Sequence, residues 1–166
     1  MRCYHFASFY ISSIQQGIQA AHAQMELAIK YKNPDFDSEK TIAEMFWDWA
    51  ENHKTMICLN GGMTKDLQDL QMFILNGNHS YPYASFSESE EALGGILTNV
   101  AIVLPEKIYN VIPMLRLNGV HFDQREYRLR DPEFNIPSEF SSLTLKTYNN
   151  FDIELINKIK GYQLAK

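Results

Sequence analysis

The residues best suited to chemistry gather in one stretch, Ser12-Ser13-Ile14-Gln15-Gln16-Gly17-Ile18-Gln19-Ala20-Ala21-His22-Ala23. Ile14, Ile18, Ala21, Met25 and Ile29 recur at helical spacing and predict the buried stripe of a helix reaching about Lys32. Gln15, Gln19, His22 and Glu26 then share the flank of that stripe, where the helix leaves the core. A glutamine both donates and accepts, so such a row suits a base edge, a ribose or an amide. The same groups can instead bond neighbouring backbone and fix the helix to a sheet. Ser12 is the expected N-cap, its hydroxyl accepting from an amide of the first turn.

A second set is acidic. Glu88, Glu90 and Glu91 sit within four residues, and crowded carboxylates can raise one another's pKa into a range useful for acid–base work. A solvated loop explains the same run. The third set is basic: Arg125, Arg128 and Arg130 are shaped to take a phosphate, or to pair with Glu126, Asp131 and Glu133. Ser12, His22 and some acid do not make a convincing triad, because no Gly-x-Ser-x-Gly elbow is present. Cys3 and Cys58 lie in strand-like surroundings and read as packing groups, too few for a disulfide framework or a zinc cluster. No metal and no cofactor are expected.

These groups must be positioned by one α/β domain. Met1 to Ile11 reads as a strand, and the Ser12 helix ends near Asn33-Pro34. A second helix starts at Thr41 with Glu44 as a capping box, burying Ile42, Met45, Phe46 and Trp49 while Trp47 lies off that face. Lys54 to Leu59 is a strand closed by Asn60-Gly61-Gly62, which matches no phosphate-loop pattern. Thr64 caps a third helix through Leu67, Leu70 and Ile74, stopped at Asn76-Gly77. Tyr81 to Ser87 and Leu97 to Leu104 complete the strands, the latter central. The order β-α-α-β-α-β-β implies a three-layer sandwich around a mixed four-stranded sheet. After Pro105 come a short helix (Glu106 to Leu115), an extended arm (Val120 to Arg130) and a final helix (Phe151 to Tyr162). Residues 1–105 form the domain and 106–166 a C-terminal extension packing on it.

Composition narrows the classes. The 166 residues are 45% hydrophobic and 13% aromatic, enough for a real core. Up to Pro105, six Lys and Arg face twelve Asp and Glu, which argues against tight nucleic-acid binding. No run is long enough to span a bilayer, and the start lacks the parts of a signal peptide. A reduced cytoplasmic setting without membrane attachment is expected.

The strand, then Gln15-Gln16-Gly17-Ile18-Gln19-Ala20-Ala21-His22-Ala23, then Leu97-Thr98-Asn99-Val100-Ala101-Ile102, resembles the type II peptidyl-tRNA hydrolases, closest to their small phage-type members. The likeness covers roughly residues 4–105. It implies that family's fold, a homodimer, and cleavage of the ester between peptide and tRNA. The lysine before the family's helix has no counterpart here, and Glu88 to Gly95 replaces the family's aspartate-bearing loop. Losing a local cation removes stabilisation of a developing oxyanion.

The expectation is therefore a non-hydrolytic protein that holds a small nucleotide-like ligand through Ser12, Ser13, Gln15, Gln16, Gln19, His22, Thr98, Asn99, Arg125 and Arg128. The phage-like motif suggests sequestration of a nucleotide-derived host defence signal, in the host cytoplasm. One rival is a divergent hydrolase of peptidyl-tRNA or a related ester using Glu88, Glu90, Glu91 and His22. Another is a protein–protein adaptor using Trp47, Trp49 and the aromatic tail.

Overall fold

The computed structural model describes residues 1–111 and 148–165. Its first unit, Met1–Glu106 with Tyr162–Lys166, is mixed α/β. Strands β1 (Arg2–Ala7), β2 (Met56–Asn60), β3 (Tyr83–Ser87) and β4 (Leu97–Leu104) form an open sheet in the order β2-β1-β4-β3. β1 runs parallel to β2 and antiparallel to β4, and β3 is antiparallel to β4. Every residue of β4 is buried, the polar Thr98 and Asn99 included, and the apolar run from Val100 to Leu104 is what a central strand requires. The last residues return to β2, where Leu164 bridges Leu59 and the Ala165 amide donates to the Cys58 carbonyl. No helix of the described residues is long and apolar enough to cross a membrane.

Helix α1 (Ser13–Lys30) lies against β3 and β4, but the expected stripe is on its outside. Its buried residues are Gln16, Gln19, Ala20, Ala23 and Leu27, whereas Ile14, Ile18, Met25 and Ile29 are exposed. The reason is steric. The alanines let the helix close onto a sheet surface that is itself small here, through Ala84 and Ala101. Bulky β-branched side chains at those positions would hold the helix off.

Helix α2 (Asp37–Asp48) begins four residues before the expected Thr41, with Phe36 at the N-cap and no side-chain cap. Asp37 and Glu39 in the first turn complement the helix dipole, which is the start signal that a capping-box reading passes over. The helix widens into a π turn, Trp49–His53, ended by Lys54 in the left-handed region at φ 55°. Phe46 and Trp49 are buried with Cys3, Leu27, Tyr31 and Val103, while Ile42 and Met45 are partly buried against that cluster. Trp47 does lie off the face, and its indole N–H donates to the Tyr31 carbonyl at 2.9 Å.

On the opposite face of the sheet, α3 (Thr64–Leu75) packs against β4 with Leu67, Leu70 and Ile74 buried. Its N-cap is Met63 rather than Thr64, and the Asp66 carboxylate accepts from the Met63 amide at 2.8 Å. Gly61 is required just before it. A Cβ there would sit 2.5 Å from Leu67 Cδ2 and 3.0 Å from the Ala7 carbonyl oxygen. Gln71 Nε2 donates to Ser85 Oγ at 2.7 Å and joins α3 to β3.

The second unit, Lys107–Gly161, is described only at its two ends. The short helix α5 (Glu106–Tyr109) begins where expected, and residues 112–115 of the expected helix lie outside the described residues. The final helix α6 (Asn150–Gly161) matches the expected one within a residue. The Tyr148 hydroxyl donates to the Lys107 carbonyl at 2.8 Å, and the buried Asp152 carboxylate lies 3.8 Å from Lys107 Nζ.

Candidate functional site

The start of α1 consumes two of the expected ligand residues. Ser12 Oγ accepts from the Gln15 amide at 3.3 Å, and Gln15 Oε1 accepts from the Ser12 amide at 3.0 Å. This reciprocal capping box satisfies two otherwise unpaired donors. The Ser12 hydroxyl also donates to Gln15 Oε1 at 3.1 Å. Gln15 is thus committed to starting the helix, and Ser13 beside it is exposed.

One turn on, Gln19 makes a different set of bonds. The register between β3 and β4 shifts between Phe86 and Ser87: Phe86 pairs with Asn99 and Ser87 with Leu97. Thr98 is therefore the extra residue of a bulge, and a bulge re-aims a side chain that strict alternation would send to the other face. The Thr98 hydroxyl donates to Gln19 Oε1 at 3.1 Å, with the Phe86 carbonyl oxygen at 3.3 Å. Gln19 Nε2 in turn donates to Glu88 Oε1 in a short bond. Both ends of the buried Gln19 amide are engaged, so its orientation is fixed. Glu88, half-buried, is held as a placed acceptor rather than a swinging loop carboxylate.

The His22 ring packs against Phe86, two residues before Glu88 in sequence, with ring centroids 4.5 Å apart and the planes tilted by 52°. The imidazole is exposed. The α1 flank thus meets the β3 end in two successive contacts, Gln19 to Glu88 and His22 to Phe86.

The other carboxylates do not join Glu88 in one cluster. Ser89 caps the short helix α4 (Glu90–Leu93), its Oγ accepting from the Ala92 amide at 3.1 Å. Glu90 and Glu91 occupy the first turn of α4 and are exposed, the placement a helix N-terminus favours. Glu90 lies against Gly95, whose φ of +71° favours glycine. No group of three or more His, Cys, Asp and Glu among the described residues is placed to hold a metal. Arg125 and Arg128, with Arg130, lie outside the described residues.

A second polar chain, which the sequence reading passed over, runs beneath α1. Cys3 Sγ lies 3.3 Å from His5 Nε2, and His5 Nδ1 lies 3.1 Å from Asn99 Oδ1. With Nδ1 protonated, the ring donates to Asn99 Oδ1, and its Nε2 accepts a hydrogen bond from the Cys3 thiol. The order Cys–His–Asn has the bonding pattern of a thiol nucleophile with its base and orienting amide. Its electrostatics do not. All three side chains are buried. Burial pushes the Cys3 thiol far above the ordinary thiol range, and it pushes His5 down to about 4, against the opposing effect of the Asn99 bond. A neutral thiol and a neutral imidazole without solvent access make a structural relay. Cys58, half-buried, is also raised by burial, as a packing role implies.

Gln16 completes the region by donating from Nε2 to the Ser8 carbonyl at 3.1 Å. Gln16 Oε1 and Asn99 Nδ2 are the two buried side-chain polar atoms without a partner among the described residues. The signal for this second chain was available: Cys3 and His5 share a face by alternation, and Ala7, on that same face, pairs with Asn99.

Compared with known proteins, the chain matches no family model and no curated protein sequence.

Proposed function

We propose that this protein binds a small nucleotide-like ligand at the edge formed by α1 and the end of β3, without hydrolysing it. The observation that carries this reading is the Thr98–Gln19–Glu88 relay. It fixes a half-buried carboxylate next to an aromatic pair, His22 on Phe86. A fixed carboxylate is the usual acceptor for ribose hydroxyls, and an aromatic face takes a base by stacking. In this reading Glu88 and Gln19 orient the sugar, and His22 with Phe86 supports the ring. Ser12 and Gln15 hold the helix start in place, and Asn99 and Gln16 support the sheet beneath it.

We further propose that the domain is a divergent member of the type II peptidyl-tRNA hydrolase fold. Support comes from the element order and from the α1 motif lying beside the Leu97–Ile102 run on one sheet. Sequestration of a nucleotide-derived defence signal is the specific role this reading favours.

The test is native mass spectrometry of the full chain mixed with nucleoside diphosphates, ADP-ribose and cyclic dinucleotides. The expected result is a retained, unchanged ligand with the wild type and none with Glu88→Gln or Gln19→Ala. Conversion of an ester probe, abolished by Glu88→Gln, would replace the binding reading with the hydrolase one. Absence of any complex would overturn the binding reading.

A further inference from the structure

The Glu88 carboxylate reaches the surface with most of its hydrogen-bonding capacity unused. Its backbone is fixed where β3 ends, the Glu88 amide donating to the Ile96 carbonyl at 3.0 Å. Its side chain is fixed by the short bond from Gln19 Nε2 to Oε1. That bond takes one of the roughly four lone-pair sites of an ionised carboxylate. Among the described residues nothing pairs with Glu88 Oε2, and Glu88 enters no ion pair. The segments that meet here also lack lysine and arginine. Ser13 to Met25 contains no Asp, Glu, Lys or Arg, and Ser85 to Asn99 contains Glu88, Glu90 and Glu91 but no Lys or Arg.

We propose that Glu88 reads an unsubstituted 2′,3′-diol, so that the ligand is a ribonucleotide with its phosphates on the 5′ side alone; this deepens, and rests on, the ligand reading given above. A cis-diol presents two O–H donors side by side, and one carboxylate accepts both. A 2′-deoxyribose offers only one of them. A phosphate on O2′ or O3′ removes a donor and sets negative charge against the carboxylate. Sites that take a 2′-phosphate use an arginine for it, and the segments around Glu88 hold none.

The Gln19 anchor makes this reading selective. A carboxylate on a swinging loop re-aims towards whatever donor is present, whereas one held from its backbone and its side chain keeps a single geometry and loses little freedom on binding. The base goes to the His22 and Phe86 rings beside it. With the base and the diol both engaged, the 5′ substituent is the part of the ligand directed away from the acidic segments. The ligand classes divide accordingly. Nucleoside diphosphates and ADP-ribose keep a free diol and fit. Cyclic dinucleotides linked 3′ to 5′ have O3′ esterified and do not.

The experiment is isothermal titration of the full chain with the common ribonucleoside 5′-diphosphates, their 2′-deoxy counterparts and adenosine 3′,5′-bisphosphate, repeated with Glu88→Asp. That substitution keeps the charge and withdraws it from Gln19 by one methylene, and circular dichroism with thermal melting verifies that the fold is kept. The expected result is that the tightest ribonucleotide binds about 10- to 100-fold better than its 2′-deoxy counterpart, a hydrogen bond to a charged group being lost. The bisphosphate should bind no better than the 2′-deoxy form, and Glu88→Asp should weaken the ribo form more than the deoxy form. Equal affinity for the ribo and deoxy forms overturns the diol proposal and leaves the binding reading standing. Tight binding of the bisphosphate, or an equal loss for both forms in Glu88→Asp, does the same. Binding of none of these nucleotides overturns the binding reading, and the diol proposal with it.

Discussion

The two faces of the sheet are built by opposite means. The face under α3 is apolar through its centre, with Phe6, Val100 and Ile102 from the strands and Leu67, Leu70 and Ile74 from the helix, all buried. The face under α1 has the same burial but is threaded with polar groups. Cys3, His5 and Asn99 form one chain, and Thr98, Gln19 and Glu88 form another that leads outward. A dry face fixes packing through shape and tolerates few losses of volume. A polar-threaded face fixes orientation through bonds that cannot be replaced singly. The lesson is that only the second kind of face can hand a placed functional group to the surface, and here it does so at one end.

The largest expected effect lies on the dry face. Ile102→Ala removes a fully buried side chain from the central strand, and urea unfolding should show a loss of about 4 kcal/mol. Deleting only the δ-methyl there, Ile102→Val, should cost about 1 kcal/mol.

Acid distinguishes the faces next. His5 stays neutral in the folded protein until about pH 4, whereas the unfolded chain protonates it near pH 6.5. The unfolded state therefore binds more protons across that window. Stability falls as pH drops from 6.5 to 4, by about 3 kcal/mol from this residue. Denaturant melts between pH 7 and 4 should show the loss, and His5→Phe should flatten that part of the profile.

The third effect is the failure of single substitutions in the polar chain to add. Asn99→Leu leaves the His5 Nδ1–H buried without an acceptor, at a cost of about 2 kcal/mol. Combining it with His5→Phe removes the orphaned donor, so the double variant should be more stable than the sum of the two singles predicts. Strict additivity would mean that the His5–Asn99 bond contributes nothing.

The smallest stability effect belongs to the outward chain. Glu88→Gln keeps the geometry and an acceptor for Gln19 at a half-exposed site, so chemical denaturation should move by less than about 1 kcal/mol.

Much of this plan was readable in the chain. The Leu97–Leu104 strand, the order of elements and the Ser12 cap follow from apolar runs, turn residues and local capping, all of which act over a few positions. The inverted α1 stripe shows where periodicity stops. Two apolar arcs share the 3.6-residue period, and the bulky one draws attention, but a tightly seated helix buries the one built from Ala20 and Ala23. The side that Thr98 faces was not legible for another reason: it is set by a one-residue bulge, and bulges leave no pattern in a single sequence. The Gln19–Glu88 bond spans 69 positions, so no local signal announces it. His5 was within reach, since its face follows from Cys3 and Ala7.

The central claim is that the outward polar chain serves ligand recognition while the inner one serves the fold. It is tested most directly by the ligand-induced rise in melting temperature of the wild type, Glu88→Gln and Asn99→Leu, with a nucleotide that the wild type retains. The account predicts that Glu88→Gln melts like the wild type alone and gains nothing from the ligand, while Asn99→Leu starts lower and still gains. A Glu88→Gln protein with the full wild-type gain would contradict it.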